Sequence, residues 1–87
     1  MNLLIFSQDP ENCVWCKRYA PVIERLEKDG FEIKEVLLEQ KDFAQAKQDY
    51  DIVSTPTTLV LNDEGEELTR FGATTYKNAL DKIKAVS

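Results

Sequence analysis

The only two cysteines of this 87-residue chain stand three positions apart, in Cys13-Val14-Trp15-Cys16. Thiols one helical turn apart can close a disulfide with little movement of the backbone. The pair falls where an apolar run gives way to a helical pattern. A thiol in the first turn of a helix feels the partial positive charge of unpaired N–H groups. That field favours the thiolate, which is the reactive form. Residue type and spacing therefore point to reversible thiol–disulfide exchange.

Other chemistries are narrowed by what is missing. Histidine is absent, which excludes Ser–His and Cys–His nucleophile pairs. A zinc site within one chain would need carboxylates beside the two thiolates. A metal or cluster bridging two chains, with four thiolates, stays open as an alternative. The net charge of −5, from 11 basic and 16 acidic residues, argues against nucleic acid, because phosphate binding needs a basic face. The apolar runs Leu3 to Phe6 and Val36 to Leu38 are far too short to span a membrane. No basic-then-apolar leader is visible, so a cytoplasmic location is expected. At this length a single domain over residues 1–87 is expected, acting as a monomer.

The elements that must position the cysteines follow from periodicity. Asn2 to Phe6 reads as a strand buried on both faces, followed by a polar loop from Ser7 to Asn12. Asn12 is the expected cap of the next helix. In that helix Trp15, Tyr19, Val22, Ile23 and Leu26 recur at three- and four-residue intervals, with Lys17, Arg18, Glu24, Arg25 and Lys28 opposite. Asp29-Gly30 ends it. Pro21 removes one backbone bond within it and is expected to kink the axis. Phe31 to Leu38 reads as a second strand and Asp42 to Tyr50 as a short helix. Thr57 to Leu61 and Glu66 to Phe71 form a hairpin about the turn Asn62-Asp63-Glu64-Gly65. Gly72 closes it. Thr74 or Thr75 caps a last helix with Tyr76, Ala79, Leu80, Ile83 and Val86 on its apolar side. The order is βαβαββα. The first two strands, joined by a helix, should be parallel, and the last two antiparallel.

With these elements in order, the sequence resembles the thioredoxin superfamily over nearly its whole length. Cys16-Lys17, Ala20-Pro21 and the apolar face down to Leu26 look like the active-site helix. Tyr50-Asp51-Ile52-Val53-Ser54-Thr55-Pro56-Thr57 looks like the lead-in to a cis-proline loop. Asp63-Glu64-Gly65-Glu66 and Phe71-Gly72-Ala73 look like the hairpin turn and the glycine after it. The chain begins directly at the first core strand, as small glutaredoxins do. The resemblance implies an α/β minimal thioredoxin fold, with a four-stranded mixed sheet and three helices.

It also implies a site. Pro56 is expected in the cis form, facing the cysteines across a groove, with the backbone of Thr55 turned outward to pair with a substrate chain. Cys13 is the expected nucleophile and Cys16 the resolving thiol. Lys17 and Arg18 would favour the Cys13 thiolate, and Asp9 and Glu11 would oppose it. Val14 and Trp15 replace the Gly-Pro of thioredoxin and the Pro-Tyr common in glutaredoxins, and are expected to form an apolar contact surface for a protein partner. Gly72 completes the substrate-binding set. Two features depart from thioredoxin. Asn12 stands where a tryptophan precedes the first cysteine. The buried carboxylate that assists the resolving cysteine has no match, leaving Glu35 or Glu39 as candidates. Gly72 is followed by Ala73, not by the second glycine that helps glutaredoxins hold glutathione, with Thr74-Thr75 and Lys77 beyond.

The function expected is reduction of protein disulfides, with no cofactor beyond the dithiol and with thioredoxin reductase or glutathione as electron source. The alternatives are a glutaredoxin-like donor, for instance to ribonucleotide reductase, and a binding module with a static disulfide.

Overall fold

The computed structural model describes residues Met1–Ser87. Strand β1 (Asn2–Ser7) leads into helix α1 (Val14–Lys28), and β2 (Glu32–Leu37) follows. A short 3-10 turn (Gln40–Asp42) precedes α2 (Phe43–Tyr50), then come β3 (Thr57–Leu61), β4 (Glu67–Phe71) and α3 (Tyr76–Ala85). The sheet order is β2-β1-β3-β4. β1 pairs parallel with β2 and antiparallel with β3, and β3 pairs antiparallel with β4. This is the βαβαββα arrangement and mixed sheet that the sequence implies.

The continuous apolar run of β1 is explained by helices on both of its faces. Leu3 and Ile5 pack with Tyr19, Ile23 and Leu26 of α1 and Ala79 and Ile83 of α3. Phe6 turns the other way and packs with Leu38, Ala46, Ile52 and Leu59 beneath α2. A strand's two-residue alternation thus feeds two cores. Each fully buried Leu or Ile contributes about 1.5–3 kcal/mol. Between the layers, the buried Tyr19 hydroxyl and Thr58 Oγ1 lie 2.9 Å apart and bond α1 to β3.

Several boundaries differ from the sequence reading, each by a residue or so. Ser7 ends β1 instead of opening the loop, because pairing with β2 continues through Ser7 and Leu37 and the Ser7 carbonyl accepts from Leu38 N at 2.7 Å. Phe31 and Leu38 flank β2 instead of belonging to it. Asp42 closes the 3-10 turn instead of opening α2, its side chain bonding Glu39 N at 2.9 Å. β4 begins at Glu67 instead of Glu66, next to an irregularity in the pairing at Val60 and Leu61. Of the two threonines, Thr75 caps α3, accepting from Asn78 N at 3.2 Å. α1 continues through Pro21 to Lys28. Its exit uses Gly30 at φ +95°, a conformation open to glycine at little steric cost.

Candidate active site

The loop between β1 and α1 decides where the sulfurs sit. Asn12 N bonds back to Asp9 O at 2.9 Å, so the loop takes up Asn12 in a turn and the helix starts one residue later than expected. Cys13, not Asn12, is the N-cap of α1, with extended backbone at φ −147°. Its Sγ accepts from the backbone N–H of Cys16 at 3.1 Å. The sulfur itself thus satisfies one of the orphan donors of the helix start. A disulfide joins Cys13 to Cys16, with Cα atoms 5.2 Å apart. Cys13 is half-buried and Cys16 buried. Gln8 N donates to Cys16 Sγ at 3.4 Å.

The loop before β3 forms the facing wall. The Thr55–Pro56 bond is cis, and Pro56 is buried. Thr55 O lies 3.9 Å and Thr55 Oγ1 3.8 Å from Cys13 Sγ. The same hydroxyl donates to Gln8 Oε1 at 2.8 Å. A cleft of about 280 Å³ runs beside this wall, lined by Trp15, Ser54, Thr55, Pro56, Gly72 and Ala73. An adjoining hollow of about 360 Å³ shares Trp15 and Ala73 with it and extends to Arg18, Tyr19, Val22 and the two threonines Thr74 and Thr75. An apolar hollow of about 570 Å³ lies over β1 and β2 and shares no residue with either.

The structure therefore brings together Cys13, Cys16, Trp15, Thr55, Pro56 and Gly72. Val14 is 64% exposed and lies outside the cleft lining. Trp15, which the helical spacing placed on the packed side of α1, is 58% exposed. It sits in the first turn, and the Arg18 guanidinium lies 5.2 Å from its ring centroid. A Cβ at Gly72 would meet Pro56 O at 3.8 Å, an ordinary contact, so space alone does not require glycine there.

The carboxylate candidates fare differently from the cysteines. Glu35 is exposed and accepts from Ser7 Oγ at 3.2 Å. Glu39 is exposed and lies 3.5 Å from Lys41 Nζ. Neither is a buried carboxylate, because the outer face of β2 and the turn after it open to solvent. Lys77 is exposed on α3 and lines neither hollow. Sequence reasoning passed over Gln8, which read as one more polar loop residue. Nothing local marks it, since its partner Thr55 is 47 positions away.

No helix is long and apolar enough to cross a membrane. No protein-family model and no curated protein sequence matches the chain. Solved structures do. Thioredoxin 1 from Thermosipho africanus superposes with a TM-score of 0.76 at 22% identity, over 98% of this chain and 92% of that one. A thio-disulfide isomerase from Thermus thermophilus gives 0.74 at 17% identity, over 99% and 78%. A chain from the complex of ferredoxin:thioredoxin reductase with thioredoxin f2 gives 0.75 at 21% identity, over 95% and 74%. The chain has the thioredoxin fold.

Proposed function

We propose that this thioredoxin-fold chain is a thiol–disulfide oxidoreductase that reduces disulfides in proteins, with Cys13 as nucleophile and Cys16 as resolving thiol. One observation carries the reading. Cys13 Sγ sits at the N-terminus of α1, takes a hydrogen bond from Cys16 N, and faces Thr55 across 3.8 Å, while Cys16 is covered. The helix start favours negative charge on the first sulfur. The half-buried Cys13 is the one a substrate can reach.

The exchange proceeds in two displacements. The Cys13 thiolate attacks one sulfur of a substrate disulfide, forming a mixed disulfide and expelling the other substrate sulfur as thiolate, which takes a proton from solvent. Cys16, on losing its proton, attacks Cys13 Sγ. The Cys13–Cys16 disulfide forms and the second substrate thiol leaves. Two electrons pass from the dithiol to the substrate, and no cofactor beyond the dithiol is needed. Trp15, Thr55, Pro56 and Gly72, with Val14 on the rim, would receive the substrate segment. The outward side of Thr55 is where an extended chain could pair with backbone.

The dithiol must then be restored by a second reductant. The likeness to a chain from a thioredoxin–reductase complex supports a dithiol-delivering reductase as that source. The lone Gly72, followed by Ala73, offers less to glutathione. We place the protein as a monomer in a reducing compartment such as the cytoplasm, where thiols are kept reduced.

The test is reduction of a protein disulfide such as insulin. Turnover should be supported by NADPH with thioredoxin reductase, and less by glutathione with glutathione reductase. Cys13→Ser should abolish turnover. Cys16→Ser should accumulate mixed disulfides with substrate. Trapping through Cys16 in the Cys13→Ser chain at the wild-type rate would reverse the assignment. Absence of turnover with either electron source would leave the static-disulfide reading.

A further inference from the structure

The two walls of the site are joined by a side chain that the exchange chemistry does not use. Gln8 contacts one cysteine and the wall facing the other: its backbone N–H points at Cys16 Sγ from 3.4 Å, and its side-chain carbonyl accepts the Thr55 hydroxyl at 2.8 Å. That hydroxyl is also the polar side-chain group nearest Cys13 on the facing wall, at 3.8 Å.

A threonine hydroxyl has one proton. Given to Gln8, it cannot also be given to Cys13, so Thr55 presents an oxygen lone pair to the sulfur. Thr55 O, at 3.9 Å, is an acceptor as well. Both Thr55 groups that lie against Cys13 are therefore acceptors. Acceptors gain from an S–H and repel an S⁻. The start of α1 does the opposite through Cys16 N–H at 3.1 Å. We propose that Gln8 is a positioning residue that restrains the thiolate character of Cys13 by holding the proton of Thr55 away from it. The proposal rests on the reading of Cys13 as nucleophile and adds what sets its ionisation.

Charged groups also surround the pair. Those nearest in sequence are Asp9 and Glu11 before the pair and Lys17 and Arg18 after it. Arg18 is over Trp15, and Asp9 Oδ1 is engaged by Glu11 N at 3.0 Å. Ser54 to Thr57 and Gly72 to Thr75 contribute no charge. Glu39 borders a hollow together with Gln8, Asp9 and Asn12. All of these stay in place when Gln8 changes.

The experiment compares the full chain with Gln8→Met, Thr55→Val and the double variant. Methionine keeps the length of glutamine and lacks its carbonyl. The readout is the pH midpoint of Cys13 alkylation by iodoacetamide in the reduced protein, with the modified cysteine located by mass spectrometry. Gln8→Met frees the hydroxyl to turn and donate to the thiolate, so the midpoint should fall by about one pH unit, up to tenfold more thiolate below it. The equilibrium with glutathione should shift toward the dithiol by up to about tenfold, which is about 30 mV. In the Thr55→Val background, Gln8→Met should do nothing. An unchanged midpoint in Gln8→Met, or the same fall with and without Thr55, overturns the proposal. Thr55→Val alone is a second test that needs no change at Gln8. A midpoint that stays or falls agrees with an acceptor, and one that rises shows a donor and overturns the proposal. These readouts need ionisation only. A chain that shifts its midpoint as stated yet reduces no disulfide refutes the proposed function and leaves the role of Gln8 standing.

Discussion

At the residue scale, Trp15 separates binding from chemistry. Its ring is largely exposed, borders the cleft, and is held by Arg18 rather than by the core. An exposed aromatic ring beside a reactive atom is typical of an anchor at a protein contact. Trp15→Ala should raise KM for a protein disulfide by about tenfold, some 1.4 kcal/mol, and change kcat little. Reduction of a small aromatic disulfide, which needs no docking surface, should stay within about twofold of wild type. Steady-state kinetics on both substrates checks this. An equal loss on both would mean that Trp15 acts on Cys13 itself. The spacing of Cys13 and Cys16 was legible because a helical turn fixes it. For Trp15 two readings competed, a contact surface beside the sulfur and a place in the apolar spacing of α1, and the ring's exposure of 58% favours the first; a helical wheel alone does not separate a helix's first turn from the turns that follow it.

Elements enter through their ends. α2 stops at Asp51, the one non-glycine residue with positive φ, at +56°. The Arg70 guanidinium of β4 donates to Tyr50 O at 2.9 Å and Asp51 O at 3.1 Å. It also bonds Glu67, whose carboxyl is thereby held below the usual carboxylate range. The hairpin thus clasps the end of α2, five residues ahead of Pro56 in the chain. A left-handed aspartate is tolerated at a modest cost that glycine avoids. Asp51→Gly should raise stability by about 0.5–1 kcal/mol in urea titrations. Unchanged or lower stability would mean that the aspartate side chain compensates for its backbone. Strand and helix identities were readable from two- and 3.6-residue periods. The ends were not: whether Asn12 or Cys13 caps α1 depends on how many residues the turn from Asp9 consumes. The Arg70 clasp joins residues about twenty positions apart and leaves no local pattern.

For the molecule as a whole, the two cores meet at the sheet, and Tyr19 ties α1 through it. Burial raises the Tyr19 hydroxyl pKa above 10.0, with the Thr58 bond opposing in part. Tyr76, whose hydroxyl donates to Asp29, is raised as well. The sign follows from linkage. A raised value means that the folded state keeps its protons where the unfolded chain has lost them, so this stability is full below pH 10.0 and is lost as pH rises above it. Urea midpoints should therefore be flat from neutral pH to about 9 and fall beyond 10. Tyr19→Phe should reduce that alkaline slope while costing about 1–2 kcal/mol near neutrality, because the buried Thr58 hydroxyl loses its partner. An alkaline slope unchanged in Tyr19→Phe would assign it to Tyr76.

Trp15 is also the only tryptophan of the chain, and it borders both the disulfide-bearing turn and the cleft. All indole fluorescence of the molecule thus originates at one spot on its surface. A molecule that settles there strips water from the ring and moves the emission to shorter wavelength. Opening or closing the neighbouring S–S bond changes its brightness. Light from the unlabelled protein can therefore time both encounter and electron transfer, with no background from a second chromophore of the same kind.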